Sequence, residues 1–124
     1  MNLMTAFFAT LLFAPADAAR ASGTSQPVLE IVTFRLAQGT DTAAFLDAAS
    51  GTEALLRDRG ALVRRFLTVD ADGVWTDIVE WTSHDAALQA AAEVMAEPSF
   101  QPFMAMIDPS SVSMRHASIL WRME

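Results

Sequence analysis

The chain has 124 residues, with 15 acidic against 8 basic residues, a formal charge of −7, 52% hydrophobic residues and no cysteine. That length makes one domain, able to bury a core without disulfides, and the missing cysteine excludes thiol catalysis and cysteine-based zinc sites. All eight basic residues are arginines scattered between Arg20 and Arg122, so the negative field argues against a nucleic-acid partner.

Residues 1–19 hold an apolar stretch from Ala6 to Ala14, then Pro15 and the small-x-small triplet Ala16-Asp17-Ala18. This is the pattern of a secretory signal peptide, and it predicts a periplasmic or secreted protein. Nine apolar residues are too few to span a bilayer, and no second run offers a membrane anchor after signal removal. Residues 20–27 are small and polar, a linker, so the folded domain is expected over 28–124.

The run VLEIVTFRL from Val28 is rich in β-branched and aromatic types and ends at Gln38-Gly39, which predicts a strand. Thr40 or Asp41 caps a helix with Phe45, Ala48, Ala49, Thr52, Leu55 and Leu56 at i, i+3, i+4 spacing, and Gly51 is placed to kink it. Next, ALVRRFLTV and VWTDIVEWT flank Asp70-Ala71-Asp72-Gly73, a hairpin whose three-residue turn pairs position 70 with 74. A second helix starts at 82–85, with Leu88, Ala91, Ala92 and Met95 expected on its apolar side and Pro98 as its stop. Phe100, Phe103, Met104 and Ile107 make a short further helical turn, Pro109 blocks it, and 112–121 forms the last strand.

The order βαββαβ predicts an α+β, ferredoxin-like domain: a four-stranded antiparallel sheet with both helices on one face. Alternate strand residues do not become polar as a solvated face requires. An identical sheet is the simplest cover for the second apolar face, so a homodimer is expected.

The isolated glycines form no phosphate loop, dinucleotide fingerprint or nucleophile elbow. His84 and His116 lie 32 residues apart, one at a helix start and one mid-strand, which argues against a dedicated metal site. The hairpin register sets Arg64 opposite Glu80 and puts Arg65 diagonal to Asp77 on the other face. Asp77 shares its face with Trp75, Val79 and Trp81, and is either an ion-pair partner of Arg65 or a carboxylate held for chemistry. Glu30 alternates with Val28 and Val32 on an inner strand, and a one-residue slip decides its neighbours. Mid-strand His116 is either a packing residue or a proton acceptor at the wall of an apolar pocket. Trp81 is core, or with Met95, Phe100, Phe103, Met104 and Met106 lines a site for a flat apolar ligand.

VLEIVTFRLAQGT, DIVEWTS followed by a helix, and SFQPFMAMI before the last strand together resemble the antibiotic biosynthesis monooxygenase-like dimeric α/β-barrel superfamily, over about residues 28–120. The resemblance implies a homodimer of ferredoxin-like subunits, each with a pocket between sheet and helices, in a group that includes cofactor-independent oxygenases, heme-degrading enzymes and isomerases. It puts Trp81 at the position of a pocket tryptophan. The first-strand asparagine of such members falls near Val32 and the heme-ligating histidine near Met104, so both are missing here. That argues against heme degradation in the usual manner and leaves no cofactor implied.

Two functions stay open. One is an exported monooxygenase-like enzyme in which His116, or else Asp77, deprotonates a small apolar or aromatic substrate in a pocket of Trp81, Glu30, Phe103 and Met104. The other is a non-catalytic dimeric module that binds a small ligand or a protein.

Overall fold

The computed structural model describes residues 26–124. The signal peptide expected over 1–19, and the linker as far as residue 25, lie outside the described residues. Within them the chain runs β1 (Val28–Phe34), α1 (Thr42–Ser50), α2 (Glu53–Arg57), β2 (Leu62–Val69), β3 (Trp75–Trp81), α3 (His84–Met95), α4 (Gln101–Ala105) and β4 (Ser113–Ser118), with single 3-10 turns at Pro98–Phe100 and Pro109–Ser111. The sheet order is β2-β3-β1-β4 and all three pairings are antiparallel. This is the α+β, ferredoxin-like arrangement that the element order predicts.

Local chemistry sets the boundaries. Asp41 caps α1 by accepting from the Ala44 amide, and Ser83 caps α3 by accepting from the Ala86 amide. Gly51 and Thr52 split the expected single helix into α1 and α2. Thr52 is fully buried, and its hydroxyl donates to the Ala49 carbonyl at 2.6 Å. The hairpin turn closes through Asp70, which accepts from the Asp72 and Val74 amides, with Gly73 at φ +81°. The first strand is shorter than the apolar run implies: beyond Phe34 only an isolated bridge, Leu36 to Ile107, continues the pairing.

One helix face departs from expectation. The buried residues of α3 are Ala87, Ala90 and Val94, whereas Leu88, Ala91 and Met95 are only half-buried and Ala92 is exposed. Alanines at i and i+3 let the helix backbone approach the sheet closely, and the larger side chains are displaced to its flanks.

The core forms two clusters. In one, Phe45 is fully buried, edge-on to Trp75 at 4.9 Å and stacked on Phe103 at 5.1 Å. The other joins Val28, Leu56, Val79 and Trp81 to the alanine face of α3. The opposite sheet face carries three cross-strand rows. Ala117, Leu29, Glu80 and Arg64 make one, Arg115, Ile31, Ile78 and Phe66 the next, and Ser113, Thr33, Thr76 and Thr68 the last. Its apolar middle is therefore flanked by polar rows, and the Phe66 ring is 53% exposed.

Glu80 lies on that open face yet is only 3% exposed, because Arg64 and Arg122 close over its carboxylate. The hydrogen bonds from Arg122 outweigh burial and hold its pKa below the ordinary glutamate value. A carboxyl depressed on folding adds stability above its unfolded pKa, and loses it as pH falls from there through its folded pKa. Arg122→Ala is accordingly expected to move the acid-unfolding midpoint to higher pH, followed by circular dichroism. An unchanged midpoint counts against this account of the pair.

Candidate functional site

A cavity of about 80 Å³ lies at the seam between the two core clusters, bounded by the helical side of the sheet, by α3 and by α4. Trp81, Glu30, Phe103 and Met104 all line it, together with Val32, Asp77, Met95 and Met114. The wall is largely apolar, and its polar groups are few enough to take one at a time.

Asp77 is 8% exposed and doubly bound. Arg65 Nε and Nη2 donate to its two oxygens at 2.9 and 2.8 Å, while Arg65 Nη1 donates to Thr52 Oγ1 at 2.8 Å. The guanidinium carbon also sits 5.3 Å from the centre of the Phe103 ring. Both carboxylate oxygens of Asp77 are thus engaged by a fixed cation. Its geometry is that of a structural ion pair at the cavity wall, the first of the two alternatives that its sequence context allows.

Glu30 differs. The register of β1 with β4 sets it directly across from His116, and His116 Nε2 lies 3.1 Å from Glu30 Oε2. Both side chains are nearly buried, at 13% and 12% exposure. His116 itself does not reach the cavity. Glu30 is thus the member of this pair that lines the cavity, and the imidazole of His116 is the partner of its carboxylate. The alternation of Val28, Glu30 and Val32 carries the signal for Glu30, while the cross-strand register that joins it to His116 is a long-range property.

Trp81 is 2% exposed, and its indole Nε1 is buried without a hydrogen-bond partner in the protein. An unpaired donor in a residue that lines a cavity costs stability unless a ligand or solvent accepts from it. The other buried polar atom without a partner among the described residues is Nδ1 of His84. His84 looks in sequence like a bare helix-start residue, yet its ring packs against His116 at 4.8 Å. Nothing in a separation of 32 residues signals that contact.

Val32 and Met104 put apolar side chains on the cavity wall where the resemblance places an asparagine and a heme-ligating histidine. Among the described residues no group of three or more His, Asp or Glu side chains is placed to hold a metal ion, and no helix is long and apolar enough to cross a membrane.

No protein family profile matches the sequence, and no curated protein matches it significantly. Solved structures do. SnoaB, a cofactor-independent oxygenase from Streptomyces nogalater, superposes with a TM-score of 0.54 at 22% identity, over 80% of this chain and 96% of that one. A NIPSNAP family protein of unknown function from Agrobacterium tumefaciens gives 0.57 at 20% identity, over 79% and 92%. A hydroxynitrile lyase from Passiflora edulis gives 0.56 at 13% identity, over 82% and 100%. At such identities the likeness is one of fold: the chain shares the ferredoxin-like α+β arrangement of these proteins.

Proposed function

We propose that the cavity binds a small, largely apolar molecule carrying one acidic proton and one hydrogen-bond acceptor, and that the protein is a cofactor-independent, monooxygenase-like enzyme working as an exported homodimer. The observation that carries this reading is an apolar cavity whose lining residues include Trp81, whose buried indole donor has no partner in the protein, and Glu30, whose carboxylate is paired with an imidazole. The indole N–H donates to the ligand's oxygen, and Glu30 takes its proton as a general base, with His116 bonded to the distal side of the carboxylate. A deprotonated phenol or enol is electron-rich enough to reduce dioxygen directly. The fold shared with a cofactor-independent oxygenase supports that chemistry.

Size narrows the ligand. A cavity of about 150 Å³ holds benzene, so the roughly 80 Å³ here admits a smaller molecule unless the wall yields. The wall includes Met95, Met104 and Met114, unbranched side chains that repack readily. Phenol, slightly larger than benzene, enters with repacking of these methionines and is the probe of choice, whereas a polycyclic ligand is too large.

Phenol binding followed by tryptophan fluorescence, coupled to oxygen uptake, tests the reading. Trp81→Phe keeps the apolar ring and deletes the donor, and is expected to weaken binding about tenfold, the value of one hydrogen bond near 1.4 kcal/mol. Glu30→Gln is expected to abolish oxygen uptake while preserving most of the binding. Binding without any uptake in the wild type favours the non-catalytic module, and wild-type affinity in Trp81→Phe defeats the assignment of the indole donor.

A further inference from the structure

The imidazoles of His84 and His116 meet edge to face, with ring centres 4.8 Å apart and planes inclined by 77°. His84 is the first residue of the twelve-residue α3, whereas His116 belongs to the edge strand β4 and is bonded to Glu30. The helix start is already capped by the Ser83 hydroxyl, which accepts from the Ala86 amide at 3.1 Å. His84 is therefore not needed as a cap, and its Nδ1 is buried without a partner in the protein. Simple packing does not call for a buried nitrogen of that kind.

The groups that face His84 are His116 and Glu30 from the sheet and Asp85 from its own helix. The two acids favour a charged ring, while burial, the neighbouring imidazole and the partly positive helix terminus oppose one. Burial leads, the His116 imidazole follows, and together they lower the His84 pKa. At this separation a positive charge on His116 disfavours one on His84. His116 Nε2 has the Glu30 carboxylate within hydrogen-bond distance, at 3.1 Å from Oε2.

We propose that His84 is a positioning residue for the cavity: packed edge to face on His116, it keeps the bond between His116 and Glu30 as the place where a proton from the ligand is held. The proposal rests on Glu30 being the group that meets the ligand. When Glu30 accepts a proton from a bound molecule, that proton stays between its carboxylate and His116 Nε2. His84 remains uncharged throughout, so the site gains one proton and no more.

Histidine NMR titration of the full chain tests this directly, without any ligand. The His84 signal is expected to titrate below the ordinary histidine value of about 6.5, and to move up toward it in His116→Gln, whose amide keeps a bond to Glu30 but carries no charge. His116→Phe serves as the second variant if the amide fails to fold. A His84 titration at the ordinary value, or one unmoved by both variants, overturns the proposal. His84→Arg supplies the functional readout: a fixed charge beside His116 is expected to shift the pH edge of phenol binding downward by about one unit or more, and an unmoved edge shows that position 84 is not coupled to the Glu30–His116 bond, which also overturns the proposal. Phenol that fails to bind at every pH, while the His84 signal still moves in His116→Gln, overturns the cavity reading and leaves the contact between the two rings standing.

Discussion

Asp77→Ala is expected to destabilise the subunit by about 3 to 5 kcal/mol, the cost of leaving a mostly buried charge without its partner. Arg65 is the charge left behind: its side chain is 15% exposed, it spends Nε and Nη2 on Asp77, and only Thr52 Oγ1 remains to it. A loss of that size is a large fraction of the 5 to 15 kcal/mol that holds a domain folded. Urea unfolding of the variant measures it. The double variant Arg65→Met with Asp77→Leu removes both charges and fills the same space, so it is expected to recover most of the loss. Recovery of oxygen uptake along with stability in that double variant marks Asp77 as structural support. Restored stability with no uptake returns Asp77 to the chemistry.

The second large effect concerns the open sheet face. Ile78→Asp puts a carboxylate in the middle of the row formed by Ile31, Ile78 and Phe66, and is expected to raise the dimer dissociation constant by about 100-fold or more, equivalent to about 2.8 kcal/mol. A charge at the centre of an association surface must be desolvated on pairing, whereas the helical side of the sheet does not meet it. Sedimentation velocity across a concentration series reads the shift. A well-folded wild-type monomer at micromolar concentration defeats the homodimer, and an unaltered dimer in Ile78→Asp shows that another surface carries it.

Parts of the fold were legible because they are local. Asp70 and Gly73 specify the turn, and the turn specifies the register of β2 with β3, from which the Arg64–Glu80 and Arg65–Asp77 pairs follow. The caps at Asp41 and Ser83 are equally local. The buried side of α3 was not, since ranking by hydrophobicity favours Leu88 and Met95 over Ala87 and Ala90. What decides it is which face of the helix meets the sheet, and that face is the one carrying Ala87, Ala90 and Val94. The candidate site divides the same way. Trp81 and Glu30 stand out as unusual residues in otherwise apolar strands. The partners of Glu30 depend on pairing β1 with a strand 86 residues later in the chain, a contact that also draws in His84.

The margins of the sheet bear on how association ends. One margin is β2, where the register slips between Leu62 and Arg64, leaving Val63 bulged outward and 43% exposed beside two successive arginines. The other is β4, only six residues long and carrying Arg115. A slipped or short margin is a poor template for another strand, so sheets of neighbouring molecules are discouraged from joining side by side into fibrils. In the proposed homodimer, copies that stack through the open face consume that face in a single step. Growth of such an assembly is self-limiting, and raising the concentration is then expected to fill a closed pair rather than seed a polymer.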